Sequence, residues 1–80
     1  MEQEFTVAGQ SIRLSPADIR KAVKDHDPGA VRTHGVLVDG TLYPVKEVLA
    51  LATGLDVLDF NTNHARAILR RLGFEVRRAS

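Results

Sequence analysis

The pair Asp39-Gly40 places the strongest constraint on how this chain can fold, because it lies between two β-prone triplets at residues 36–38 and 41–43. Both residues of such a pair readily adopt positive φ, which the tight two-residue turns of β-hairpins require. A shorter alternation of apolar and polar residues over 5–14 predicts an earlier hairpin. The remaining segments must pack against these two hairpins.

A helix start follows the earlier hairpin. Ser15 supplies an N-cap hydroxyl, Pro16 occupies the first helical position, and the acidic Asp18 lies three residues after the cap. These groups satisfy or tolerate the unpaired amides of a first helical turn. The helix is expected to end near residues 26–29, which contain a proline and a glycine.

A second helix is predicted after the Asp-Gly hairpin. Pro44 is placed at its first position, and Gly54 is expected to close it in the left-handed conformation. Apolar residues at helical spacing predict that one face of this helix is buried. The residues on that face are Val45, Val48, Leu49 and Ala52.

The last helix and a closing strand complete the predicted order ββαββααβ. The segment 61–63 (Asn-Thr-Asn) offers three candidate caps for a helix that runs to about Leu72, and Gly73 and Phe74 fit a glycine C-terminal motif. Residues 75–77 are then expected to form a strand. We predict one small α+β domain over 1–80, with about three helices packed on short antiparallel hairpins and a helix-turn-helix-like C-terminal half. The inward stripe of the last helix is Ala65, Ile68, Leu69 and Leu72.

Size and composition narrow the class of protein. A chain of 80 residues has room for one core, and its nine leucines and nine valines are enough to form it. The absence of cysteine excludes disulfide frameworks and thiolate zinc sites, and it fits a reducing compartment, so we expect a cytoplasmic protein. No apolar run approaches the ~18 residues of a membrane span, so no membrane partner is expected.

The formal net charge of +1 conceals an asymmetry along the chain. Residues 1–60 carry six basic and nine acidic side chains, net −3. Residues 61–80 carry five arginines against one glutamate, net +4. Arginine can pair bidentately with phosphate or with a guanine edge, so the C-terminal helix and strand are a candidate DNA-binding segment.

The last helix has one exposed polar face. Asn63, Arg66 and Arg70 fall at i, i+3 and i+7, with His64 and Arg71 alongside. Such a face suits a DNA major groove, and the second helix and this last helix, joined across residues 53–61, weakly resemble a helix-turn-helix. Ordinary solvation and the favourable interaction of cations with a helix C-terminus explain the same residues equally well. The candidate DNA-binding residues are Asn63, His64, Arg66, Arg70, Arg71, Arg77, Arg78, Tyr43 and Lys46.

Further phosphate contacts are expected beside the Asp-Gly hairpin. Arg32 would join Tyr43 and Lys46, with Thr33 and His34 on the approach to the hairpin. A half-buried strand aromatic is the commoner role for Tyr43, and a solvated first-turn position is the commoner one for Lys46. Aromatic residues for base stacking are lacking near the arginines, which disfavours single-stranded nucleic acid as the ligand.

Catalysis by this chain alone is not expected. The histidines at positions 26, 34 and 64 lack metal-ligand spacing, so neither a metal nor a cofactor is predicted. The glycines occur singly, and no phosphate-binding loop, dinucleotide fingerprint or nucleophile elbow is present. No small-molecule substrate is therefore predicted.

Part of the sequence resembles a known family. The pattern comprises residues 35–48 (Gly-Val-Leu-Val-Asp-Gly-Thr-Leu-Tyr-Pro-Val-Lys-Glu-Val), 52–54 (Ala-Thr-Gly), Asp59-Phe60, Ala65 and 69–74 (Leu-Arg-Arg-Leu-Gly-Phe). It is similar to the N-terminal head domain of ScoMcrA-like, modification-dependent (type IV) restriction endonucleases. Nothing in this chain matches the modified-base reader or the nuclease of such enzymes. The resemblance implies an accessory DNA-engaging domain of a larger DNA-processing enzyme, with Tyr43, Lys46, Arg70 and Arg71 at matched positions where a functional role is plausible.

Two functions from different classes follow from the sequence. The first is a double-stranded DNA-binding accessory module that uses the basic C-terminal helix, with duplex DNA and other domains of a larger nuclease as partners. The alternative is a non-catalytic protein-interaction or assembly domain that positions a catalytic partner. Its contact patch would be the apolar connection at Leu55, Val57 and Leu58, if these side chains are exposed. A free-standing small regulator is a third hypothesis.

Overall fold

The computed structural model describes residues 2–27, 29, 31 and 34–78. Over these residues the chain forms three α-helices, five β-strands and one 3₁₀ turn, in the predicted order, which confirms the α+β class. The strands are β1 (Gln3–Val7), β2 (Gln10–Leu14), β3 (His34–Val38), β4 (Thr41–Pro44) and β5 (Glu75–Arg78), the helices are α1 (Pro16–Val23), α2 (Val45–Thr53) and α3 (Thr62–Arg71), and the 3₁₀ turn is Val57–Asp59.

The first hairpin pairs β1 with β2 in an antiparallel arrangement, as predicted. Its turn residues Ala8 and Gly9 have φ of 51° and 78°. Two consecutive positive φ angles match the twist of the flanking strands. The alternation of apolar residues buries Phe5, Val7 and Leu14 on one face of this two-stranded sheet.

Helix α1 begins as predicted and ends earlier than predicted. The Ser15 amide donates to the Asp18 carboxylate at 2.8 Å, and the Asp18 amide donates to the Ser15 hydroxyl at 3.3 Å, which completes a capping box. The expected end near residues 26–29 is wrong, because the helix ends at Val23 and the His26 amide closes a turn on the Val23 carbonyl at 3.1 Å. The chain therefore leaves the helix before Pro28, which lies outside the described residues.

The second sheet contains three strands in the order β4-β3-β5, all antiparallel to their neighbours. Asp39 and Gly40 form the predicted turn between β3 and β4, with φ of 49° and 85°. The closing strand β5 pairs with β3, so that His34 at the start of β3 lies opposite Arg78 at the end of β5. This pairing brings the C-terminal basic segment beside the second hairpin.

Helix α2 differs from the prediction at its first residue. Pro44 has φ −62° and ψ 131°, an extended conformation, and it pairs with Gly35 as the last residue of β4. It is the N-cap of α2 rather than its first helical residue, because its ψ keeps it in the strand. At the other end Gly54 has φ 78° and donates its amide to the Ala50 carbonyl at 2.8 Å, as a left-handed cap should.

Helix α3 has both of its predicted ends. The Asn61 side chain accepts a hydrogen bond of 2.7 Å from the His64 amide. At the C-terminus the Gly73 amide donates to Arg70 at 2.9 Å, and the Phe74 amide donates to Leu69 at 3.1 Å. Together with the φ of 95° at Gly73, these two bonds form a Schellman motif. The motif turns the chain directly from α3 into β5.

The core lies between the helices and the two sheets. Helices α2 and α3 contact one another and the three-stranded sheet, whereas α1 packs on α2. No polar or charged residue among the described ones is buried, so the interior is apolar. The buried residues are Phe5, Val7, Leu14, Ile19, Val23, Val36, Val38, Val45, Val48, Leu49, Phe60, Ala65, Ile68, Leu69 and Leu72.

Candidate nucleic-acid interface

The polar residues of α3 lie on two separate flanks of the helix. All four residues of the predicted inward stripe of α3 and its C-cap are buried. Asn63, Arg66 and Arg70 project from one side of this stripe, and His64 and Arg71 project from the other. At 3.6 residues per turn the two flanks are about 120° apart. The single polar face predicted from the sequence is therefore divided between two parts of the surface.

The flank that carries Arg71 faces the N-terminal hairpin. The Arg71 guanidinium lies 5.0 Å from the centre of the Phe5 ring, and the Arg71 carbonyl accepts a hydrogen bond of 2.7 Å from the Gln3 side chain. A guanidinium over an aromatic face is stabilised by the charge distribution of the ring. Arg71 thus has an intramolecular role in joining α3 to β1.

The other flank faces the open end of the three-stranded sheet. His34 and Val36 point to the same side of β3, because side chains alternate along a strand, and Arg78 lies directly across from His34 on β5. Burial of the imidazole, followed by the positive charges of Arg66, Arg78 and Arg70, lowers the pKa of His34 from its ordinary value of 6.5. Three arginines from two elements therefore act electrostatically on one histidine. We call the set His34, Asn63, Arg66, Arg70 and Arg78 the basic edge.

Hydrogen bonding at the basic edge is incomplete within the described residues. Nδ1 of His34 and Nε of Arg66 are buried and have no hydrogen-bond partner there. Arg66 also donates through Nη1 to the Asn63 side chain, at a long distance of 3.5 Å. Buried donors and acceptors in folded proteins are nearly always paired, so two unpaired nitrogens on adjacent elements mark an incomplete hydrogen-bond network at this place.

The positive charge of the basic edge is not balanced by carboxylates within the described residues. The ion pairs found there involve other arginines, which are Arg13 with Glu2, Arg20 with Asp39 and Arg77 with Glu75. The basic edge is therefore an electropositive surface with hydrogen-bond donors, which is the chemistry of an anion site.

The remaining predicted residues lie elsewhere. Arg77 is on the opposite face of β5 from Arg78 and pairs with Glu75. Tyr43 pairs with Val36 and is half-buried against the core, and Lys46 is half-buried in the first turn of α2. The predicted phosphate contacts of Arg32 and Thr33 fall on residues 32–33, which lie outside the described residues.

One relation at the basic edge was missed from the sequence. The sequence indicates only that His34 lies on the approach to the hairpin. It does not predict the proximity of His34 to Arg66 and Arg78. The alternation of His34, Val36 and Val38 could have shown that His34 lies on the core-facing side of β3. Its proximity to Arg78, which is distant in sequence, depends on the pairing of β5 with β3.

The connection between α2 and α3 carries exposed apolar side chains. Leu58 is 87% exposed and Val57 is 36% exposed, and Leu51 of α2, at 44%, lines a surface cleft with Val57. Leu55 was expected to belong to this patch if exposed, but it is half-buried and packs on the core. We call Leu51, Val57 and Leu58 the apolar patch.

The part of the chain that the structure describes offers neither a cluster of metal ligands nor a membrane-spanning helix. No group of three histidine, aspartate or glutamate residues there is close enough to hold a metal ion. None of the helices there is long and apolar enough to cross a lipid bilayer.

Comparison with known proteins assigns the chain to a family. No curated protein and no solved structure matches it. A family model described as SCO5918-like matches residues 5–80, nearly the whole chain. The chain therefore belongs to the SCO5918-like family.

Proposed function

We propose that this domain binds double-stranded DNA through the basic edge. The observation that carries the proposal is that Arg78 is the cross-strand neighbour of His34 and that Arg66, Arg70 and Arg78 all act on this histidine, with no carboxylate among the described residues paired with them. Arginines that already had acidic partners would gain little from a phosphate. These three are free to neutralise DNA phosphates and release the counterions that the phosphates hold.

The position of α3 suits a groove-binding helix. Its flank with Asn63, Arg66 and Arg70 is polar over two turns, and its opposite side is anchored in the core by Ile68 and Leu69. Asn63 near the N-terminus approaches base edges, and Arg66, Arg70 and Arg78 contact the phosphate backbone. His64, Arg71, Arg77, Tyr43 and Lys46 stay predicted peripheral contacts, since each lies off this flank.

The resemblance to the head domain of ScoMcrA-like restriction endonucleases supports the same proposal. The similarity covers residues 35–76 and includes Arg70, which is one of the residues of the basic edge. In this proposal the domain is a non-catalytic accessory module in the cytoplasm. It engages duplex DNA on behalf of other domains of a larger DNA-processing or restriction enzyme.

Fluorescence anisotropy with a labelled duplex tests the proposal. The full chain is titrated at several salt concentrations from about 50 mM upward, and log K is plotted against log salt. The Arg66→Gln/Arg70→Gln variant is expected to bind more weakly and to have a smaller slope, by about one unit for each phosphate contact that is lost.

Arg71→Gln/Arg77→Gln is the matched control, because it removes the same two charges from other faces of α3 and β5. It should keep most of the slope. Equal losses in the two double variants would show that general charge, and not the basic edge, attracts the DNA. Absence of duplex binding by the full chain at low salt would overturn the proposal.

The apolar patch supports a second candidate function, a protein-interaction or assembly domain. An isolated exposed leucine is common, but Leu58 is 87% exposed and adjoins Val57, which shares a cleft with Leu51. If the patch is a contact surface, Leu58→Ser should abolish self-association or partner binding without weakening DNA binding. If sedimentation shows that the wild type and Leu58→Ser are both monomers, and DNA binding depends on salt, self-association through the apolar patch is excluded.

A further inference from the structure

The basic edge contains a small convergent site within the larger DNA-binding surface. Its donors come from three elements, with His34 on β3, Arg66 and Arg70 on α3, and Arg78 on β5. Buried Nδ1 of His34 and buried Nε of Arg66 have no partner among the described residues. Because both atoms are shielded from solvent, a ligand reaches them only when the two side chains turn outward.

The electrostatics select an anion as the ligand. Each of the three arginines acts on His34 with the same sign, and no acidic group contributes to the lowered pKa of this histidine. A metal ion would be repelled by such a site. A phosphate group has several acceptor oxygens in a tetrahedral arrangement, and guanidinium groups can bind it through two parallel hydrogen bonds. It can therefore accept from donors that reach it from three sides.

We propose that His34, Arg66, Arg70 and Arg78 bind one phosphate group, which is a backbone phosphate of the duplex, and that His34 takes up a proton when it binds. The source of the phosphate rests on the proposed function, whereas the site itself does not. His34 and Arg66 turn outward on binding, so that the protonated imidazole donates a hydrogen bond from Nδ1 to a phosphate oxygen and Arg66 donates from Nε.

The direction of the pH dependence follows from the charges. In the free protein, burial and the three arginines disfavour the imidazolium and lower the pKa of His34. A bound phosphate brings a negative charge that raises the pKa again. Binding therefore takes up part of a proton, and affinity for duplex DNA increases as the pH falls through the range where His34 titrates. One proton limits the change to about tenfold in affinity per pH unit.

NMR spectroscopy of the full chain with sodium phosphate tests the site without DNA. At a constant pH of about 6, the His34 ring and Arg66 Nε–H signals should shift and saturate with phosphate, but not with sodium chloride at equal ionic strength. Arg70→Gln/Arg78→Gln should weaken phosphate binding at least severalfold. Arg71→Gln/Arg77→Gln changes the neighbouring arginine of each pair and should leave it nearly unchanged.

The second experiment uses duplex DNA, because the phosphates of the DNA backbone do not titrate in the pH range where His34 does. Wild-type affinity should increase between about pH 7.5 and 6, and the pKa of His34 measured from its ring signals should rise when DNA binds. His34→Gln should lose the pH dependence. The titration of the His34 ring in the wild-type protein shows whether the pKa rises on DNA binding even if a variant fails to fold.

The two arms separate the two proposals. If phosphate causes saturable shifts but duplex DNA does not bind, the phosphate site is retained. The proposed function and DNA as the source of the phosphate are then both overturned. Binding of duplex with no shift of His34 or Arg66, or with no change in the pKa of His34, would retain the proposed function and overturn the site.

Discussion

At the scale of single residues, His34 is a titratable group whose surroundings oppose its protonation. Its side chain is half-buried, and the guanidiniums of Arg66, Arg70 and Arg78 all oppose its protonation. A neutral imidazole is tolerated at this place, but an imidazolium is unfavourable until an anion arrives. The same residue should therefore link the pH to the stability of the free protein.

The stability of the free protein should fall as the pH is lowered through the range where His34 titrates. The pKa of His34 is lower in the folded chain than its ordinary value of 6.5, so the unfolded chain binds more protons below that pH. The loss should begin near the unfolded pKa and level off below the folded one. His34→Gln cannot be protonated and should lack this component.

Urea unfolding of wild type and His34→Gln in phosphate-free buffers from about pH 5 to about pH 7.5 measures the effect. As the pH is lowered, the free energy of unfolding of the wild type should decrease relative to that of His34→Gln. Parallel curves would contradict the environment assigned to His34.

Gly35, the next residue along β3, is required for a steric reason. A Cβ at this position would lie 2.5 Å from Cγ of Leu42 on the neighbouring strand. Gly35→Ala should therefore destabilise the protein by about 1–3 kcal/mol, as overpacked positions do. Urea denaturation of Gly35→Ala with and without Leu42→Ala tests the cause. Gly35→Ala should lower the free energy of unfolding much less in the Leu42→Ala background. An equal decrease in both backgrounds would point to another cause.

At the scale of elements, the boundaries predicted from local chemistry are largely correct. Ser15, the Asp39-Gly40 pair and Gly73 each satisfy a backbone requirement that is set by a few neighbouring residues. Such requirements can be read from sequence because they do not depend on the rest of the fold. Pro44 shows the limit, since a proline fits both an N-cap and a first helical turn and only the pairing of β4 with β3 decides between them.

Asn61 and Asn63 at the start of α3 have different roles. The Asn61 side chain accepts from the His64 amide, whereas Asn63 is exposed and reaches only Arg66. Asn61→Ala should lower the free energy of unfolding by about 1 kcal/mol through loss of the N-cap. Asn63→Ala should change stability by no more than about 0.5 kcal/mol, as exposed substitutions do.

Thermal or urea unfolding of the two asparagine variants provides the comparison. Asn63→Ala should instead weaken DNA binding, because Asn63 belongs to the basic edge. A larger loss of stability in Asn63→Ala than in Asn61→Ala would contradict the capping assignment.

The assembly of the candidate site could be predicted from the sequence only in part. The i, i+3, i+7 spacing of Asn63, Arg66 and Arg70 already places them on one flank of a helix. The partnership of His34 with Arg78 could not be predicted, because they are far apart in the chain and the register between β3 and β5 is set by burial of Val36 and Val76 on the shared face.

At the scale of the whole molecule, the small net charge results from two segments of opposite sign. The C-terminal twenty residues are net positive, and the first sixty are net negative. The fold refines this division, because Arg71 lies over Phe5 and Arg77 pairs with Glu75, whereas no carboxylate among the described residues pairs with the basic edge. The exposed Leu58 is flanked by Asp56 and Asp59, so DNA phosphates would be repelled from the apolar patch.

Chemical-shift mapping of the isotopically labelled full chain with a short DNA duplex at low salt tests the central claim most directly. The account predicts that the largest perturbations fall on His34, on the Asn63, Arg66 and Arg70 flank of α3, and on Arg78, and that they diminish as salt is added. The absence of perturbations, or perturbations confined to the apolar patch, would contradict it.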